Sequence, residues 1–150
     1  MHAKMNAKRF RKLDPLKARK DLFPVHGDPR APLALIAWGS TAGVAREAMS
    51  MAKAEGLQVK LLTPHMLYPL AQDFFEEFFA GGQAGLVVEQ SHQGQFYHIL
   101  RMFLDLPKGL GSFARSGANP FQPSEIVTSL RSQAMALQQL ASEGLRDASL

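Results

Sequence analysis

"LALIAWGSTAGVAREAMSMAKAEG", residues 33–56, decides the fold. A continuous apolar run, Leu33–Trp38, reads as a strand buried on both faces. Small residues follow, Gly39-Ser40-Thr41-Ala42-Gly43, and then Ala45, Ala48, Met49 and Ala52 recur at helical spacing between Arg46, Glu47, Ser50 and Lys53. Glu55-Gly56 closes that helix. Strand, tight loop and amphipathic helix in this order are the first half of a βαβ unit.

The pattern repeats downstream. Gln58–Thr63 reads as a second strand, stopped by Pro64, and Ala71–Ala80 as a helix carrying Phe74, Phe75, Phe78 and Phe79 around Glu76 and Glu77. Gly85–Glu89 is a third apolar run. Phe96, Ile99, Leu100 and Phe103 then repeat the helical stripe over 93–104. Gly111–Arg115 is a weaker strand, and Pro123-Ser124 opens a helix bearing Ile126, Val127, Leu130, Ala134 and Leu137. Strands separated by helices imply right-handed crossovers, so the expected class is α/β: a three-layer sandwich with a mostly parallel sheet of four to five strands.

Composition sets the outer bounds. The 150 residues are 46% hydrophobic and 20% charged, as in a folded domain. There is no cysteine, which excludes disulfides, thiolate catalysis and cysteine-held clusters within these residues. No apolar run approaches the ~18 residues of a membrane span, so no membrane role is expected and cytoplasm is the expected location. The net charge of +4 is uneven. Residues 1–20 hold eight basic side chains against Asp14 alone, +7, and the remaining 130 residues sum to −3. Residues 4–20 read as a short basic helix restarting at Asp14-Pro15, and "FPVHGDPRAP" (23–32) as a linker. The division expected is a basic linker arm over 1–32, an α/β domain over 33–141 and a frayed terminus over 142–150. The arm's basic stretch, residues 1–20, has Phe10 as its only aromatic and no binding module, which argues for a solvated linker or an acidic partner surface and against nucleic acid.

Two places have residue types suited to chemistry. In the first loop, Gly39 and Gly43 permit a tight turn, and Ser40 or Thr41 can cap the helix and leave N–H groups facing an anion. A strand-to-helix turn needs the same small residues for packing alone, and no P-loop or dinucleotide fingerprint is present. In "VVEQSHQGQF" (87–96), Glu89 ends a strand, and His92 and Gln95 follow. Carboxylate beside histidine suits acid–base work, but Glu89 can equally accept N–H groups at a helix start and Gln95 can tie loops together. The five histidines, His2, His26, His65, His92 and His98, lack metal spacing. The candidates are therefore Gly39, Ser40, Thr41, Gly43, Glu89 and Gln95, as partner- or anion-binding positions, with no catalytic set and no metal site.

Taken in order, "KRFRKL" (8–13), "HGDPRAPLALIAWGSTAG" (26–43), "VVEQSHQGQF" (87–96) and "GANPFQPSEI" (117–126) resemble the C-terminal, transketolase C-terminal-like domain of the alpha subunit of 2-oxoacid:ferredoxin oxidoreductases, nearest the 2-oxoglutarate type. The likeness runs over about residues 6–131. Ser91 stands where that family more often has asparagine, and Gly117–Pro120 carries one extra residue. The resemblance implies oxidative decarboxylation of a 2-oxoacid with CoA and ferredoxin, in which this part has a structural and assembly role. It implies no cofactor in these residues. Thiamine diphosphate, Mg²⁺ and iron–sulfur clusters would sit on partner domains or subunits. The implied partners are the thiamine-diphosphate-binding beta subunit, the other alpha-subunit domains and, indirectly, ferredoxin. A surface left uncovered implies self-association.

Overall fold

A computed structural model describes residues 2–147. Two short helices, α1 (His2–Arg11) and α2 (Asp14–Lys17), precede a 3₁₀ turn at Lys20–Leu22. The remaining elements are β1 (Val25–His26), β2 (Leu33–Ala37), α3 (Thr41–Ala54), β3 (Val59–Leu62), α4 (Gln72–Phe79), β4 (Ala84–Glu89), α5 (Gln95–Phe103), β5 (Gly109–Ala114) and α6 (Pro123–Asp147). The sheet runs β1-β3-β2-β4-β5. Four strands are parallel, with Leu33 opposite both Val59 and Ala84, and Ala84 opposite Gly109. The expected α/β sandwich is present, with five strands.

Alternation along the strands builds two cores. Leu33, Leu35 and Ala37 of β2, Val59 and Leu61 of β3, and Ala84, Leu86 and Val88 of β4 face one side. There they meet Ala45, Ala48 and Ala52 of α3 and Ile126, Val127 and Leu130 of α6. The intervening residues Ala34, Ile36, Leu62 and Val87 face the other side, against Phe75, Phe78 and Phe79 of α4 and Phe96 and Leu100 of α5. β2 and β4 approach so closely that a Cβ at Gly85, whose φ is +154°, would collide with the Ala34 carbonyl.

Two boundaries and one burial differ from the sequence expectation. Val25 and His26 pair antiparallel with Leu62 and Leu61, and Phe23 is buried, so residues assigned to the arm complete both the sheet and its aromatic core. Phe23 stacks on Phe74 at 4.7 Å and meets Phe75 edge-on at 5.9 Å. α6 runs through 142–147, where fraying was expected; 148–150 lie outside the described residues. Lys60, inside β3, is only 1% exposed. Its ammonium donates to Pro29 O (3.0 Å) and Ala80 O (3.3 Å) and lies 5.2 Å from the Phe78 ring centre. Burial lowers its pKa, and nearby Asp28 opposes that shift.

Candidate functional site at the C-terminal edge of the sheet

β2 and β4 lie side by side, yet α3 leaves β2 toward one face and α5 leaves β4 toward the other. Open α/β sheets bind ligands in the crevice made by such a reversal. Both sequence-derived loops sit here.

In the first loop, Gly39 takes φ +59°, a left-handed conformation that favours glycine. Ser40 is exposed, and its side chain makes no capping hydrogen bond. Thr41 is buried: its hydroxyl donates to Trp38 O at 2.8 Å and lies 3.3 Å from Val88 O, tying α3 to β2 and β4. Gly43 is exposed on α3, and a Cβ there would meet nothing within 4 Å, so packing does not demand glycine at that position.

The second loop is a helix cap. Glu89 is fully buried. Its Oε2 accepts from Phe96 N (2.9 Å) and Ser91 Oγ (2.9 Å), and its Oε1 from Tyr97 N (3.0 Å). Ser91 Oγ in turn accepts from Gln95 N at 3.2 Å. The first three amides of α5, which have no intrahelical acceptor, are thus satisfied by one carboxylate and one hydroxyl. The negative charge also lies at the positive end of the helix dipole. Gly94 takes φ +68°, and a Cβ there would strike Ser112 Oγ and approach Glu89 Oε1 at 3.4 Å. His92 is not paired with Glu89: its Nδ1 lies 3.1 Å from Ser116 Oγ. The Gln95 side chain is exposed, and the loop tie is made by Gln90, whose Nε2 donates to Gly117 O (2.6 Å) and Asn119 O (3.1 Å).

The closing motif behaves alike. Arg115 donates to Pro120 O (3.0 Å) and Glu125 Oε1 (2.6 Å), and lies 4.5 Å from the Phe121 ring centre. Glu125 Oε2 accepts from Gln122 N at 2.7 Å, capping α6. Arg115, with Gln122 N–H assisting, holds the Glu125 carboxyl below its ordinary pKa.

Beside Gly39 opens a cavity of about 420 Å³, lined by Trp38, Ala42, Arg46, Thr63 and His65 among others. The Trp38 indole N–H is buried without a partner, alone among buried side-chain polar atoms of the described residues. His26 Nε2 lies 3.4 Å from Thr63 Oγ1, and burial, then nearby Arg46, lower the His26 pKa. The sequence pattern assigned a site role to neither Arg46 nor Gln90. Arg46 scans as the polar face of α3, and Gln90 acts only through loops distant in sequence. Among the described residues no three His, Asp or Glu side chains form a metal-binding group, and no helix is long and apolar enough to cross a membrane.

The layered arrangement with its four parallel strands is a transketolase C-terminal-like fold. A split-gene transketolase, solved as an inactive beta4 tetramer, superposes with a TM-score of 0.59 over 74% of this chain and 40% of its own, at 15% identity. No protein-family model matches the chain. The sequence relationship is narrower than the fold. The 2-oxoglutarate:ferredoxin oxidoreductase from Magnetococcus marinus, solved with 2-oxoglutarate, coenzyme A and succinyl-CoA bound, is 33% identical. It superposes with a TM-score of 0.79 over 88% of this chain and 23% of its own. The alpha subunit of 2-oxoacid:ferredoxin oxidoreductase 2 from Aeropyrum pernix is 28% identical over 130 residues, 85% of this chain. The homologues of this chain are thus 2-oxoacid:ferredoxin oxidoreductase alpha subunits. It spans about a fifth of the length of that curated relative.

Proposed function

We propose that this chain is an assembly domain of a thiamine-diphosphate-dependent 2-oxoacid:ferredoxin oxidoreductase and has no turnover alone. The whole enzyme would convert a 2-oxoacid, CoA and oxidised ferredoxin to an acyl-CoA, carbon dioxide and reduced ferredoxin. The observation that carries this reading is the use made of the polar groups at the sheet's C-terminal edge. Thr41, Glu89, Ser91, Arg115 and Glu125 all hold helix ends and loops together. A base needs an accessible proton acceptor, and Glu89 has none to offer beneath Phe96 and Tyr97. Gly39, Ser40, Gly43 and Gln95, exposed above that scaffold, are the positions left to face a partner. Thiamine diphosphate, Mg²⁺ and the clusters are assigned to that partner, the beta subunit or the other alpha-subunit domains. No reaction step runs through this chain.

The purified chain is expected to give no 2-oxoglutarate-dependent, CoA-dependent reduction of ferredoxin. It is expected to co-purify with a thiamine-diphosphate-binding subunit when the two are expressed together. Turnover by the chain alone overturns the proposal. A second reading puts an anion at Gly39–Gly43, and the adjoining cavity with Arg46 favours it. Calorimetry with 2-oxoglutarate, CoA and phosphate separates the two, since an assembly role alone predicts no heat of binding.

A further inference from the structure

Helix α1, the first part of the arm, has no surface to rest on. None of the ten residues of α1 is buried, and Phe10 is 59% exposed. Isolated helices shorter than about 12–15 residues are marginal in water. Lys4 and Lys8 stand four apart on α1, where like charges repel, and Lys12 follows in the turn just after it. Ala3, Ala7 and Phe10 form a narrow apolar stripe beside this basic row.

A counter-surface exists on the same molecule. The eight-residue helix α4 turns Asp73, Glu76 and Glu77 to solvent at i, i+3 and i+4, with no basic residue in its last turn. Glu76 and Glu77 lie at its C-terminal half, where the helix dipole disfavours negative charge. Beside them lies a notch of about 180 Å³ lined by Val25, Pro29, Phe74, Glu77 and Phe78. It is apolar except for one carboxylate at its rim, which suits a single large apolar side chain. The arm's own base already leans that way, with Lys20 Nζ 4.0 Å from Glu77.

We propose that the basic arm of one copy docks on α4 of a second copy, with Phe10 in the notch and the lysine row on Asp73, Glu76 and Glu77. Each copy gives an arm and receives one, so the contact is self-complementary and closes as a two-fold dimer. The +7 of residues 1–20 against the −3 of the other 130 favours this occupant over a partner that would have to supply both the acid face and the apolar seat. A membrane is disfavoured because the apolar stripe is two alanines and one phenylalanine. Two ten-residue helices bury less than the ~1,200 Å² of a standard stable interface, so the dimer is weak, with a Kd of tens of micromolar. This proposal is independent of the assembly role.

Sedimentation of the full chain tests it. The dimer is expected at about 50 mM salt and weakened roughly tenfold at about 300 mM, because exposed charge pairs are screened within ~10 Å. An arm variant (Lys4→Glu, Lys8→Glu, Lys12→Glu) and an α4 variant (Glu76→Lys, Glu77→Lys) should each be monomeric with unchanged circular dichroism. Mixing them restores opposite charges on both contacts and should restore the dimer. Monomeric wild-type chain at several hundred micromolar, on the order of ten times that Kd, overturns the proposal. So does a dimer indifferent to both variants. A monomer that instead binds random-sequence duplex DNA or phosphatidylserine vesicles through the arm also overturns it.

Discussion

Against one face of the sheet α3 lays Ala45, Ala48 and Ala52; against the other α4 lays Phe75, Phe78 and Phe79. On the alanine side the layers approach closely, and α3 also packs on α6, with Glu55 and Arg131 paired across them at 2.6 Å. On the aromatic side the space is filled by rings: Phe75 meets Phe23 at 5.9 Å and Phe96 at 6.0 Å, both edge-on. One layer is tight because little projects from the helix, and the other because large groups interlock. They should therefore fail in opposite ways.

The largest effect is expected from Phe75→Ala, which removes a fully buried ring from the centre of the aromatic layer. A loss of about 3–5 kcal/mol in urea-unfolding free energy is expected. A loss below about 1 kcal/mol would mean that this layer collapses readily and that its ring contacts matter little. Ala48→Leu tests the other face, where added volume has nowhere to go. It should cost about 1–3 kcal/mol by overpacking, measured the same way. A stabilising result would show that α3 stands off the sheet.

The smallest effect concerns Lys60, the one charged side chain buried between β3 and α4. Its pKa is lower folded than unfolded, so in the window between the two the unfolded chain binds more protons. Its contribution to stability therefore rises as pH climbs toward the ordinary lysine range and falls as pH drops. Lys60→Met should remove that slope, read as the difference between variant and wild-type stability across alkaline pH. Parallel curves would place the ammonium in water.

Much of this architecture was legible in the sequence because strands buried on both faces leave continuous apolar runs and helical stripes leave a period of 3.6. β2 and β4 are continuous apolar runs, and the α3, α5 and α6 stripes are regular. β1 left no such signal, since two residues between prolines and a glycine read as linker. Lys60 was opaque because its burial depends on carbonyls at Pro29 and Ala80, set by the fold rather than by its neighbours in sequence. At the candidate site the pattern located the right loops but left the role of Glu89 open. Acid–base partner and helix cap need the same residue at the same place. The amides of Phe96 and Tyr97 decide for the cap.

β1 has a consequence beyond its two residues. It runs antiparallel along the outer side of β3 and occupies the hydrogen-bonding groups near Leu61 and Leu62. A chain trimmed to begin at Leu33, where the apolar pattern starts, would leave β3 as a bare flank able to recruit strands from other molecules. The proline-rich stretch that reads as a tether thus acts as a selvedge, keeping the sheet from growing sideways into aggregates.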